Sequence, residues 1–133
     1  MFLERLVNQA GSPVLEQMLS FTAARHKLIL ENLANVGAPG YRQKDLDLKK
    51  FQGMLRERVE HLDQAGSGST GFEDISAAVE HPTRGFLFHD GTNISMEQLE
   101  GDMAKNGMMH NMVIELLRKQ YAQMDMALKE RVG

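Results

Sequence analysis

The sequence predicts a mainly α protein. Long N- and C-terminal helices pair in a coiled-coil-like way, with a shorter middle helix and a loose acidic loop or short β segment between them. Three observations point there. Apolar residues recur at steps of three, four and seven near both ends, a spacing that gathers them on one face of a helix. Aromatics make up 6% of the 133 residues and tryptophan is absent, while methionine occurs ten times. So few rings leave Leu, Ile, Val and Met to fill the core, and residues 108–131 run without glycine or proline. At this length one elongated domain, 1–133, is expected.

The first helix is expected over 12–35. Ser12 can cap it, and Pro13 suits the first helical position, where its missing N–H would have no partner anyway. Two apolar tracks follow: Val14, Met18, Phe21 and Leu28, and beside them Leu15, Leu19, Ile29 and Leu33. Two tracks make a face wider than one partner helix needs, which predicts surplus apolar surface for neighbouring subunits. Gly37 and Pro39 stop the helix, with Asn35 or Gly37 expected in the left-handed conformation that closes helices. Over 36–46 a turn is expected. Pro39-Gly40 fits the two central positions of a type II turn, the second of which needs positive φ, and Tyr41 follows as an aromatic anchor.

A middle helix is expected over 47–63, capped by Asp45 or Asp47. Leu48, Phe51, Leu55, Val59 and Leu62 form its apolar stripe; Lys49, Lys50, Arg56, Glu57, Arg58 and Glu60 should face water. Residues 64–92 are expected to be flexible or irregular, because Ala65 to Gly71 has linker composition, with a short strand or extended arm at Gly85–His89. The last helix is expected over 93–131, capped by Asn93 or Ser95, with Ser95–Gln98 fitting a capping box. Met96, Leu99, Met103, Val113, Leu117, Met124 and Leu128 lie near a seven-residue spacing. Gly101 and Gly107 each weaken the helix by about 1 kcal/mol against alanine. A helix from Met96 to Arg131 would span about 54 Å, longer than a compact domain of this size accommodates, so part of it should pack on something else.

Composition narrows function. The net charge is -3, unlike the basic balance of a nucleic-acid-binding domain. Residues 59–102 hold nine acids against Arg84, a net of -8, so the rest of the chain carries +5. That split suits a solvated acidic loop, or attraction between neighbouring copies. No apolar run is long enough to span a membrane, and Met1–Ser12 has no apolar core for a cleaved secretory signal. Cysteine is absent, which removes disulfides, thiolate nucleophiles and Cys-based metal sites together. The histidines His26, His61, His81, His89 and His110 match no metal-ligand pattern. An enzyme built on His81 and His89 would lack the three or four convergent ligands a metal needs. The methionines of the last helix read as adaptable packing surface. No catalytic residue, cofactor site or metal site is predicted; the apolar stripes mark an association surface.

The stretch Ala34-Asn35-Val36-Gly37-Ala38-Pro39-Gly40-Tyr41, placed after an N-terminal helix, resembles the signature of bacterial flagellar rod, hook and hook-associated proteins, Ala-Asn-x-x-Thr-Pro-Gly-Tyr. Ala34, Asn35, Pro39, Gly40 and Tyr41 match, and Ala38 stands at the usual threonine. Asp90-Gly91-Thr92-Asn93-Ile94-Ser95 is similar to the segment before that family's last helix. The resemblance covers about residues 14–51 and 90–130, and the short chain is most similar to the proximal rod proteins. It implies a structural subunit of the flagellar basal-body rod. Such a subunit is exported by the flagellar type III secretion apparatus without signal cleavage. It assembles in the periplasm beside other rod subunits and the rod adaptor protein. The assembly contacts expected on this reading are Val14, Met18, Phe21 and Leu28 of the first helix and Val113, Leu117, Met124 and Leu128 of the last. A cytoplasmic helical adaptor or chaperone that binds partner helices by the same stripes is the alternative.

Overall fold

A computed structural model describes residues 12–65, 75, 79, 87–89 and 95–132. Its elements are α1 (Ser12–Ala34), β1 (Lys44–Leu46), α2 (Leu48–Ala65), β2 (Leu87–His89) and α3 (Met96–Val132). The protein is mainly helical, with long first and last helices and a shorter middle one. Most of 64–92 lies outside the described residues, so the flexible segment expected there does too, as do His81 and Asn93.

α2 and α3 start where side-chain chemistry satisfies a first amide. Asp47 caps α2, its Oδ1 accepting from Lys50 N–H at 3.1 Å. Asp45, the other candidate, is engaged elsewhere. Ser95 caps α3, its Oγ accepting from Gln98 N–H at 3.3 Å. The helix then runs unbroken through Gly101 and Gly107 for 37 residues, about 55 Å. Burial of an amphipathic face outweighs the propensity cost of two glycines.

α1 and α3 pack antiparallel. Thr22 of α1 meets Asn106 and His110 of α3, while Glu16, further toward the start of α1, meets Tyr121, further along α3. α2 meets the same α1 core, where the rings of Phe21 and Phe51 stack at 4.1 Å and 15°. The core gathers Val14, Leu15, Met18 and Phe21 of α1, Leu46 of β1, Phe51, Leu55 and Val59 of α2, and Val113 and Leu117 of α3. Ile75 and Val79, helical and one turn apart, are buried in the same cluster. Phe51, Leu55 and Val59 of the α2 stripe are therefore internal and Leu48 half-buried, while Lys49, Lys50, Arg56, Glu57 and Glu60 are exposed; Arg58, expected to face water, is half-buried, and the Leu62 side chain lies outside the described residues.

β1 and β2 pair antiparallel, Lys44 opposite His89, Asp45 opposite Phe88 and Leu46 opposite Leu87. The ribbon ties the segment before α2 to the segment before α3. A ribbon this short holds only with support from neighbouring structure.

Candidate functional site

Two features of the surface correspond to positions singled out by the sequence: the turn after α1 and the far end of α3. The turn is built by local chemistry. Asn35 N–H donates to Glu31 O at 3.1 Å and Ala38 N–H to Asn35 O at 2.9 Å, which closes the helix. The Asn35 side chain donates from Nδ2 to the Glu31 carbonyl at 2.8 Å. Neither Asn35 nor Gly37 adopts the expected left-handed conformation; among the described residues only Gly40 has positive φ, 75°. The helix carbonyls are met by successive turn bonds instead, and the chain postpones its left-handed residue to the turn proper. There Tyr41 N–H donates to Ala38 O at 3.3 Å across Pro39-Gly40, giving the hydrogen bond and the φ of a type II turn. Ala34, Pro39 and Gly40 are exposed; Asn35 and Tyr41 are half-buried.

Asn32, a residue sequence reasoning passed over, holds this turn to the helix. Its Nδ2 donates to Lys44 O at 2.7 Å, and its Oδ1 accepts from Lys44 N–H at 3.1 Å. The amide thus meets Lys44 as a neighbouring backbone would. The same Oδ1 accepts from the Tyr41 hydroxyl at 3.0 Å. Burial, then the nearby Glu31 charge, raises the Tyr41 pKa above its ordinary 10.0, so the phenol keeps the proton it donates. Beside it Arg25 grips Asp45 with two bonds, Nε to Oδ1 at 3.0 Å and Nη2 to Oδ2 at 3.2 Å. This pairing orients the guanidinium as well as attracting it, and it explains why Asp45 does not cap α2. Asn32 and Arg25 precede the signature in sequence, so no spacing within the turn could have revealed them.

The eight positions expected to make assembly contacts divide unevenly. Val14, Met18, Phe21, Val113 and Leu117 are buried within the single chain, and Leu28 is packed partly buried against the same core. The first track of α1 packs with side chains of α2 and α3 in one core; of the second, Leu15 and Ile29 are buried while Leu19 and Leu33 are half-buried. Met124 and Leu128 are 52% and 61% exposed. They belong to a stretch, Tyr121–Arg131, in which every side chain is exposed. That is about 16 Å of helix continuing past the contact between Tyr121 and Glu16. At its base the Tyr121 hydroxyl donates to Glu16 Oε1 at 2.6 Å. That bond, ahead of desolvation and the Glu16 charge, raises the Tyr121 pKa. Met126 is exposed too, as are Met108 and Met112 nearer the middle of α3.

Between α1 and α3 lies a polar layer. Thr22 Oγ1 donates to Leu19 O at 3.0 Å and lies 2.6 Å from His110 Nδ1. With one hydroxyl hydrogen, both contacts hold together when Nδ1 carries the hydrogen and donates to Oγ1. A threonine so placed gives its proton to a carbonyl and is not activated as a nucleophile. A cleft of about 460 Å³ opens beside this layer, lined in part by His26, Lys27, Gly107 and Asn111. Among the described residues no group of three or more His, Asp or Glu side chains could hold a metal, and no described helix is long and apolar enough to cross a membrane.

The geometry thus offers surfaces for packing. The chain is similar to a flagellar rod protein. It is 27% identical over 116 residues to the flagellar basal body rod protein FlgB of Salmonella typhimurium, an alignment covering 79% of this chain and 83% of that protein. The likeness is distant. No family model matches the chain, and no solved structure matches it.

Proposed function

We propose that this chain is a structural subunit of the bacterial flagellar basal-body rod, in its proximal part, and not an enzyme. The likeness to FlgB supports the rod. The observation that supports assembly is the exposed apolar end of α3, with Tyr121, Met124, Met126 and Leu128 on a helix carried past the chain's own core. Scattered apolar residues on a surface are ordinary, whereas several on one unsupported helix end mark a contact.

On this reading the internal α1–α3 pair is the rigid body and the end of α3 reaches a neighbour. Copies related by a screw operation use unlike surfaces, which gives an open helical tube and not a closed ring. The partners are other rod subunits and the rod adaptor protein; contacts with the flagellar export apparatus precede them. The subunit leaves the cytoplasm by the type III route without signal cleavage and assembles in the periplasm. The turn at Pro39-Gly40 sets the angle at which the chain departs from α1.

The experiment is complementation of a deletion strain. The native gene restores swimming. A Met124→Asp, Leu128→Asp chain is expected to be exported and folded but to leave the cells non-motile. Full motility of that strain, or recovery of the native chain only as a soluble cytoplasmic species, overturns the proposal; the second result would favour the adaptor reading.

A further inference from the structure

The polar layer between α1 and α3 is out of keeping with the seam around it. Val14, Met18, Phe21, Val113 and Leu117 are all buried and apolar. Burial of such side chains is nondirectional, so a seam of that kind tolerates sliding by one helical turn. Thr22 and Asn106 interrupt it, 1% and 2% exposed, with His110 half-buried beside them. Asn106 Nδ2 donates to the Thr22 backbone carbonyl at 2.9 Å, and His110 bonds the Thr22 hydroxyl. Both α3 residues thus converge on one residue of α1.

The layer is poorly made for stability. Asn106 Oδ1 is buried with no hydrogen-bond partner, an unfavourable state for a polar atom removed from water. The donation to Thr22 O fixes which end of the amide is which, so turning the group over would not help. A half-satisfied polar group in an apolar seam is retained where it selects one arrangement among several, as single buried polar residues do in coiled coils. Sliding α3 by one turn in one direction would carry His110 from the Thr22 hydroxyl toward apolar Met18, which offers no such side-chain partner.

We propose that Thr22, Asn106 and His110 form a register lock, which holds α1 and α3 in one alignment at the expense of stability. The Thr22–His110 pair is the principal element, since it joins two side chains, whereas Asn106 bonds a backbone carbonyl of a kind every turn of α1 offers. The lock deepens the assembly reading, because the alignment decides how far the end of α3 projects beyond α1. Its test does not depend on that reading.

The chain has no cysteine, so spin labels can be placed freely at Glu31→Cys and Lys119→Cys, both exposed. Pulsed electron paramagnetic resonance on the purified full chain then reads the distance along the helix pair. The native layer is expected to give a single distance. With Thr22→Val, Asn106→Leu and His110→Leu together, helicity and melting temperature hold or rise, and a second population appears, displaced by about 5 Å, one helical turn. With only Asn106→Leu made and Thr22 and His110 kept, the single distance returns. One unshifted distance in the triple variant overturns the lock, and so does loss of helicity there, since the layer would then be a stabilising contact. A displaced population in the chain that keeps Thr22 and His110 overturns the role given to that pair.

Discussion

One line of residues on α3 has two fates. From Leu99 through Asn106 and Val113 to Leu117 it is buried. Continued at the same helical spacing, it reaches Tyr121, Met124 and Leu128, which are exposed. Nothing in the residue types separates the two halves. The difference is the partner: α1 has 23 residues and α3 has 37, and the second half of the line lies beyond the contact at Glu16. A stripe predicts that something covers it, and the lengths of the elements decide whether that is the same chain or another.

Substitutions on either side of this boundary should separate stability from assembly. The largest loss is expected at Phe21→Ala, which removes the ring stacked on Phe51 and opens a cavity where α1, α2 and α3 meet. Denaturant unfolding should show a loss of about 3–5 kcal/mol. Gly40→Val comes next. Nothing lies within 4 Å of a side chain at Gly40, but its φ is 75°. The loss is therefore backbone strain, about 1–2 kcal/mol. Gly37→Ala, equally unobstructed and without positive φ, is the control that should not destabilise.

Tyr41→Phe should lose about 1 kcal/mol with its bond to Asn32. The same residue predicts an alkaline signature. Its folded-state pKa is raised above the ordinary 10.0, so its contribution is complete below pH 10 and disappears as pH climbs past the raised value. Unfolding measured from pH 9 upward should show that decline in the native chain and less of it in Tyr41→Phe. The smallest effect on the lone chain belongs to Leu128→Asp, within about 0.5 kcal/mol, although it should abolish assembly. A large loss of monomer stability there would erase the distinction between the two halves of α3.

Much of the fold was legible because its signals are local. Helical spacing marks α1, α2 and α3, and Pro39-Gly40 marks a turn whose φ the structure contains. The candidate site was legible only in part. The track of Val14, Met18, Phe21 and Leu28 on α1 packs with side chains of both α2 and α3, and one-dimensional spacing does not say how many partners a face has. Asp45 looks like a cap because the sequence hides Arg25 beside it. Asn32 and the layer of Thr22, Asn106 and His110 carry no motif; they acquire meaning when residues far apart in the chain are brought within hydrogen-bond reach.

The most direct test is an image reconstruction of the intact basal body with this chain traced in it. The account predicts that Met124, Met126 and Leu128 are buried against a neighbouring subunit, while Val14, Met18 and Phe21 stay enclosed in their own chain. Contradiction would be the reverse: the end of α3 facing solvent in the assembled rod, with α1 opened to make the contacts between copies.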